Sequence, residues 1–415
     1  MNLLRRHPVA IVLVFLLLVT AIQPLSPLVD AITGSAPGDA DLDRPTLYVM
    51  FAPLSNVLDG LTFFSLTRAQ WALAVWIVVL AAWGALRGGP APVTRRRRAA
   101  RALVGPGIVI LLGAAAVLLP RPVPRLVTTS GAGTVIDYHA HTSASHDGRP
   151  GWTLARFAQW HARQGFDASY VTDHNVIYDG SLPPPGGGTP ISLLPGVEWS
   201  VYRQHVVAIG PVEPLARDSF GQSGARMTRI FAAIERQGAL GIASLPEYWR
   251  NYRDELGSFV VAGVDGFEIV NCSPKGLAFP RRGRRAVLEL AAGHNLVVVG
   301  ASDNHGWGQA TCVWNLSRPG AQGFQNNRVF ARPLALLQGD GAPWAAAATQ
   351  PWFMLRSLSW SERASWLTWV FIILLYRALP RREGQRAGLG ILARSVFRRP
   401  RASRPDAQSP DKTPT

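Results

Sequence analysis

Long apolar runs set beside arginine clusters constrain this chain more than any other feature, because such stretches have to be buried in a core or in a bilayer. Residues 8–28 hold IVLVFLLLVTAI behind Arg5 and Arg6, with no A-x-A site following, and read as an uncleaved anchor instead of a signal peptide. Residues 70–86 and 103–119 flank the arginines at 95–98 and 101, which makes that cluster a short cytoplasmic loop. Residues 364–379 are a shorter fourth candidate, with Arg377 placed to snorkel. Residues 47–66 are apolar but interrupted by Asn56 and Asp59, and read as interfacial or partly inserted. Four spans with the N-terminus inside put the acidic loop of Asp30, Asp39, Asp41 and Asp43, and all of 120–361, outside. The expectation is a multi-pass integral membrane protein with an extracytoplasmic soluble domain.

The formal net charge is +16, a balance that often signals nucleic acid. Nearly all of it sits at Arg5 and Arg6, at Arg87 and 95–101, and in the tail 377–415, beside the apolar runs. The rest is close to neutral, so no folded face suits a phosphate backbone, and nucleic acid is excluded as a partner. In the tail, Leu389, Ile391, Leu392, Val396 and Phe397 among arginines suit either a basic interfacial helix or a solvated tail. Cys272 and Cys312 are too few for a disulfide scaffold or zinc ribbon. They either pair in an oxidising compartment or lie as two separately buried thiols.

Between 131 and 320 the texture changes to short strands, at 135–138, 168–172, 191–198, 205–209, 240–244, 263–271 and 295–301, with amphipathic helices at 152–164, 225–237 and 282–294. Repeated βα units imply a parallel sheet, closed into a barrel or open and doubly wound, with chemistry at the C-terminal strand ends. The polar residues fall there. The first strand runs into His139 and His141, then His146 and Asp147; the second ends at Asp173 and His174, the third at Glu198 with His205 opening the next, and the last at Asp303 and His305. On an extended segment an H-x-H pair puts both rings on one face, and Asp303 with His305 repeats that spacing. Imidazole plus carboxylate suits Zn, Mn or Fe. His161, in mid-helix, and His294, at a helix end, read as structural.

At these residues the sequence resembles the PHP superfamily, the metal-dependent phosphoesterases named after polymerase and histidinol phosphatase domains. The matching pieces are D-x-H-x-H-T at 137–142 with D-G at 147–148, T-D-H-N at 172–175, P-G-V-E at 195–198 and S-D-N-H at 302–305. The stretch 198–210, the strand around Phe267 to Asn271, and 298–303 look most like the carbaryl-esterase-type branch. The resemblance covers less than half the chain. It implies a distorted (β/α)7 barrel, here joined to about four transmembrane α-helices, with two or three divalent ions (Zn, Mn or Fe). Carried across, one metal takes His139, His141, Glu198 and Asp303; a second shares Glu198 and uses His205; a third uses Asp147, His174 and His305. Asp173 is then a carboxylate orienting His174 or a neighbouring ligand. Glu198, as the bridging carboxylate, sets the intermetal distance, and Asp303 or His174 moves a proton to the leaving group.

One departure stands out. The family commonly has His-Pro where this chain has Leu245-Pro246, and leucine cannot ligate. The resemblance then implies a dinuclear centre, one completed by water or Glu247, or a weakened one. His146 is an insertion relative to the usual S-D-G. Arg203 and Arg250 are either phosphate contacts or plain surface charges. Tyr138, Trp199, Tyr202, Tyr248, Trp249 and Trp307 point to a partly apolar substrate or to packing at the rim. The expected organisation is a membrane region at 1–130, a barrel at 131–320, an extracytoplasmic linker at 321–363, a transmembrane helix at 364–379 and a cytoplasmic tail at 380–415. The expected function is a membrane-anchored phosphoesterase acting on a small-molecule or lipid-like substrate. A carboxylic or carbamic ester hydrolase and a metal-stabilised binding module are the alternatives.

Overall fold

A computed structural model describes residues 7–86, 94–129, 133–178, 182–183, 188–201, 204–216, 225–318 and 327–379. Arg5, Arg6, Arg87, Tyr202, Arg203, the expected domain edges at 131 and 320, and the tail 380–415 lie outside the described residues. The chain divides into two compact units, Met1–Leu367 and Thr368–Thr415. The division falls inside the helix Trp360–Ala378, whose last part is what is described of the second unit.

The first unit begins with the helices Pro8–Ile22, Thr46–Met50, Ala52–Thr62, Leu66–Leu86 and Arg95–Leu118. Among the described residues only Leu66–Leu86 and Arg95–Leu118 are long and apolar enough to cross a membrane, which corrects the expected four spans to two. They pack closely: a Cβ on Gly84 would lie 2.3 Å from the Arg101 carbonyl oxygen. Pro8–Ile22 has 15 residues, about 22 Å at ~1.5 Å per residue, against the ~30 Å of a hydrocarbon core. Trp360–Ala378 begins with buried Glu362 and Arg363. Glu362 accepts from Asn56 at 2.7 Å and Arg363 donates to the Leu17 carbonyl at 2.9 Å, so this first turn is polar packing inside the fold. Residues 47–66 also fold in, with Asn56 and Asp59 buried. The parity argument for topology therefore loses its basis.

Among the described residues there are twelve strands, in chain order β1 Val29–Asp30, β2 Ala40–Asp43, β3 Arg125–Thr128, β4 Thr134–Asp137, β5 Ala168–Val171, β6 Ser192–Val201, β7 Gln204–Ile209, β8 Leu240–Ala243, β9 Gly266–Asn271, β10 Val297–Ala301, β11 Val313–Ser317 and β12 Arg328–Ala331. β2 and β3 form a separate pair, and the other ten make one curled sheet in the order β1-β12-β11-β4-β5-β6-β7-β8-β9-β10. The helices Leu154–Gln164 and Arg281–His294 link the parallel pairs β4–β5 and β9–β10, while Ala225–Arg236 lies between the antiparallel β7 and β8. Leu154–Gln164 starts because the Thr153 hydroxyl accepts from the Arg156 amide, and it stops at Gly165, at φ +88°.

The expected all-parallel sheet is corrected. β7 runs antiparallel to both neighbours, since the two positions between β6 and β7 leave room for a hairpin and none for a crossover. β11, β12 and β1 add antiparallel strands that the sequence reading missed. β12 lies within the segment expected to be a linker, and β1 within the expected membrane region. Side chains draw the ends of the curl together. Asn315 exchanges hydrogen bonds of 2.7 Å with the Gly300 amide and carbonyl and also donates to the Ile136 carbonyl at 3.0 Å. Beyond the strand ends the Asp303 amide donates to the His139 carbonyl at 2.9 Å and the His141 amide to the Asn304 carbonyl at 3.0 Å. β4 and β10 are thereby brought side by side at the end where their loops carry the histidines.

Candidate metal centre

All eight expected ligand residues meet at that end, in overlapping groups whose donor atoms lie within 4.8 Å of one another. His139 and His141 follow β4 on extended chain and share a face, their Nε2 atoms 2.9 Å apart. β5 delivers His174, which bridges to Glu198 on β6. β7, folded back on β6, brings His205 Nδ1 to 2.7 Å from Glu198 Oε1. Glu198 Oε2 lies 2.9 Å from His174 Nδ1, 3.2 Å from His139 Nε2 and 3.3 Å from His141 Nε2. After β10, Asp303 takes the left-handed backbone at φ +47°, a conformation that costs a non-glycine residue energy and is held by the hydrogen bond to His139. Its Oδ1 sits 3.2 Å from His141 Nε2, 3.6 Å from His139 Nε2 and 3.5 Å from His305 Nδ1. Asp147 reaches His305 Nε2 at 3.2 Å and His174 Nε2 at 3.5 Å. His146 is exposed, its Nδ1 4.0 Å from Asp147, so Asp147 is the residue that faces both rings.

The donors fit divalent ions. His174 Nδ1, Glu198 Oε2 and His305 Nε2 are buried and make no hydrogen bond, although each is within 3.5 Å of a charged neighbour. Lone pairs turned toward one another without hydrogen-bond geometry suit ligands around an ion, and an all-nitrogen-and-oxygen set suits Zn, Mn or Fe.

Charge is tightly balanced. Burial disfavours the charged rings of His139 and His174, but carboxylates overcome it: Glu198, Glu268 and Asp303 hold His139 well above its usual value, and Asp147 and Glu198 push His174 up to about 10. Burial and the His305 charge push His141 down to about 4. Against their burial, the histidines hold Glu198, Asp303 and Asp147 below the carboxylate range.

Surrounding groups fix the rings. Ser145 Oγ lies 2.8 Å from His141 Nδ1 and donates to Asp173 at 2.9 Å, while Asp173 also accepts from the Thr142 amide and hydroxyl at 2.6 Å. Asp173 therefore orients His141 through Ser145. Asp137 accepts from the Ser302 amide at 3.1 Å and meets His161 Nε2 at 3.0 Å, leaving His161 structural as expected. Leu245 is fully buried in the largest apolar cluster, with Val206 and Phe267, and the group that meets His205 Nε2 is the Tyr248 hydroxyl, at 2.9 Å.

The residue that sequence reasoning missed is Glu268. Its Oε1 lies 2.6 Å from His139 Nδ1, and its Oε2 accepts from Ser244 at 2.8 Å and Asn271 at 3.0 Å. The signal was present, since a carboxylate inside a wholly buried strand must have a partner. Glu268 fixes which His139 nitrogen faces the centre, so Glu268→Gln is expected to weaken metal affinity about 10- to 100-fold, read by competition with a chelator. Unchanged affinity would show that the contact only packs the strand.

No family model and no curated protein matches the chain. Among solved structures it is similar to PsfC from Pseudomonas syringae, with 17% identity over 54% of this chain and 98% of that one, TM-score 0.35. It is also similar to a two-domain protein from Bacteroides vulgatus containing a predicted PHP-like metal-dependent phosphoesterase (17% identity, 50% of this chain and 63% of that one, TM-score 0.32). An amidohydrolase from Chromobacterium violaceum is similar at 16% identity over 41% of this chain and 87% of that one, TM-score 0.29.

Proposed function

We propose that the chain is a membrane-anchored, metal-dependent phosphoesterase whose strands β4 to β10 form a distorted (β/α)7 barrel of the PHP type. The observation that carries this reading is Glu198, one buried carboxylate met by four imidazoles, from His139, His141, His174 and His205, at 2.7–3.3 Å. Such a set is poorly satisfied by hydrogen bonds alone and well satisfied by two ions sharing the carboxylate. His139, His141, Glu198 and Asp303 would hold one ion, Glu198 with His205 a second, and Asp147, His174 and His305 complete the set. Bound divalent ions supply a water acidified toward pKa ~7 and offset charge developing on a phosphoryl oxygen.

The chain's own groups do the rest. Glu268 and Ser145 hold His139 and His141 in their tautomers. Glu247, in the first turn of Leu245–Tyr252, accepts from the Ser273 hydroxyl, and in the metal-free protein burial and the charge of Asp303 push its carboxyl up to about 7. The Tyr248 hydroxyl, against His205, is placed to donate to substrate at the mouth. Leu66–Leu86 and Arg95–Leu118, with exposed arginines at 95–98 and 101, support a membrane anchor with that cluster on the cytoplasmic side. The Cys272–Cys312 disulfide supports an oxidising compartment for the sheet.

The test uses the full chain in neutral detergent, stripped by chelator and reloaded with Mn, Zn or Fe. Chromogenic phosphomonoesters or phosphodiesters are expected to turn over in the loaded protein alone. Turnover confined to an acyl ester would replace the reaction class, and full metal loading without turnover would make the centre a binding module.

A further inference from the structure

Beside the metal centre, and outside its ligand set, lies a groove of about 770 Å3. The helix Leu245–Tyr252 separates the two. Tyr248 meets His205 on one side, while Glu247 and Arg250, followed by Arg253, line the groove. Lys275 and Arg282 line it as well. Asp340 is paired with Arg281 and Arg253 with Asp254, which leaves Arg250, Lys275 and Arg282 against Glu247 and an excess of positive charge. The rest of the wall is Leu66 and Thr67, the start of the apolar helix Leu66–Leu86. The Leu66 amide donates to the Pro274 carbonyl at 2.8 Å, pinning that helix to the loop that carries Lys275. The buried Arg68 side chain donates to the carbonyl of Gly341, another groove residue, at 3.2 Å. The helix then exposes Leu66, Trp71, Leu73 and Val78, a surface suited to acyl chains.

A groove with surplus cations, bounded at one end by the start of a candidate span and on one side by the helix whose Tyr248 meets His205, selects for an anion that arrives from a bilayer. We propose that it binds the phosphate headgroup of an anionic phospholipid and so holds phosphoester substrate at the membrane beside the metal centre, an inference that rests on the phosphoesterase reading above. Hydrolysis consumes one water: its oxygen bonds to phosphorus, the ester P–O bond breaks, and a proton from solvent ends on the departing alcohol. A free phosphoester offers the same headgroup but gains nothing from the apolar wall, and that difference separates the two sources.

The experiment titrates the metal-loaded full chain, in neutral detergent, with a short-chain phosphatidic acid and separately with inorganic phosphate, by calorimetry. Phosphatidic acid is expected to bind at least about tenfold more tightly than phosphate. Arg250→Gln combined with Lys275→Gln is expected to weaken it by a further tenfold or more, with metal content and unfolding temperature unchanged. Arg250→Lys with Lys275→Arg should retain binding, which shows that the loss is one of charge. Equal affinity for inorganic phosphate and lipid, or lipid binding indifferent to the Gln pair, overturns the proposal. Groove-dependent lipid binding in a protein that hydrolyses no phosphoester under any metal would leave the headgroup site standing and remove the phosphoesterase reading.

Discussion

Replacing Glu198 with alanine is expected to lower turnover by about 10³-fold or more and to strip the centre of metal. Glu198 is the group shared by His139, His141, His174 and His205, so in the proposed centre its loss would remove a ligand from more than one ion at once. Metal assistance is worth several kcal/mol of transition-state stabilisation, and at ~1.4 kcal/mol per tenfold that gives the stated loss. Elemental analysis and turnover measured on the same preparation check it. A variant that keeps full metal content would remove Glu198 from the bridging role and the proposed centre with it.

The metal-free protein gives an independent readout of the same residue. His174 is raised from 6.5 to about 10 in the folded state, partly by Glu198. A raised folded value adds stability that is fully present below the unfolded value and lost as pH rises through the folded one. Stripped wild type should therefore lose stability between about 6.5 and about 10, and Glu198→Ala should flatten that slope. An unchanged slope would mean that Asp147 alone sustains the shift.

The centre was legible in the sequence because strand geometry converts spacing into direction. His139 and His141 had to share a face, and ligand types at the ends of separate strands had to meet if those strands joined one sheet. Glu268 escaped because it sits two residues into an otherwise apolar strand, where its partner, His139, is 129 positions away. At position 245, where the resemblance has a ligand, the chain turns into a helix after Ser244 that buries Leu245 in the apolar core, while Ser244 bonds Glu268 and Tyr248 meets His205. Two of the four expected spans drop out because Pro8–Ile22 is only 15 residues long and the helix carrying 364–379 starts in the buried polar turn of Glu362 and Arg363. There Glu362 hydrogen-bonds Asn56, which is also buried inside the fold.

That burial of polar groups motivates the second large effect. Asp59→Ala is expected to destabilise the full chain by about 3–5 kcal/mol, because removing one partner of a buried ion pair leaves uncompensated charge. Asp59 Oδ1 accepts from Arg121 at 2.9 Å, and Oδ2 accepts from Tyr48 at 2.9 Å and from Arg332 at 3.2 Å. Arg332 Nε and Nη2 are already buried without hydrogen-bond partners, and the other acceptors of Arg121, the Ala116 carbonyl and the Thr62 hydroxyl, are neutral, so neither guanidinium has another carboxylate to turn to. Arg332 directly follows β12, and Arg121 follows the apolar helix Arg95–Leu118, so this one carboxylate ties the sheet to the candidate span. Asp59→Asn keeps the shape and an acceptor for Tyr48 but loses the charge, and should fall between wild type and alanine. Thermal unfolding of the full chain in detergent, followed by far-UV signal and by metal release, should show both probes shifting together by roughly 3–6 °C. If metal release kept its wild-type temperature while helical signal was lost earlier, the helices would be a separable anchor. A joint shift would instead mean that the metal centre rests on the helices, so that cutting the chain between Arg121 and β4 would lose both.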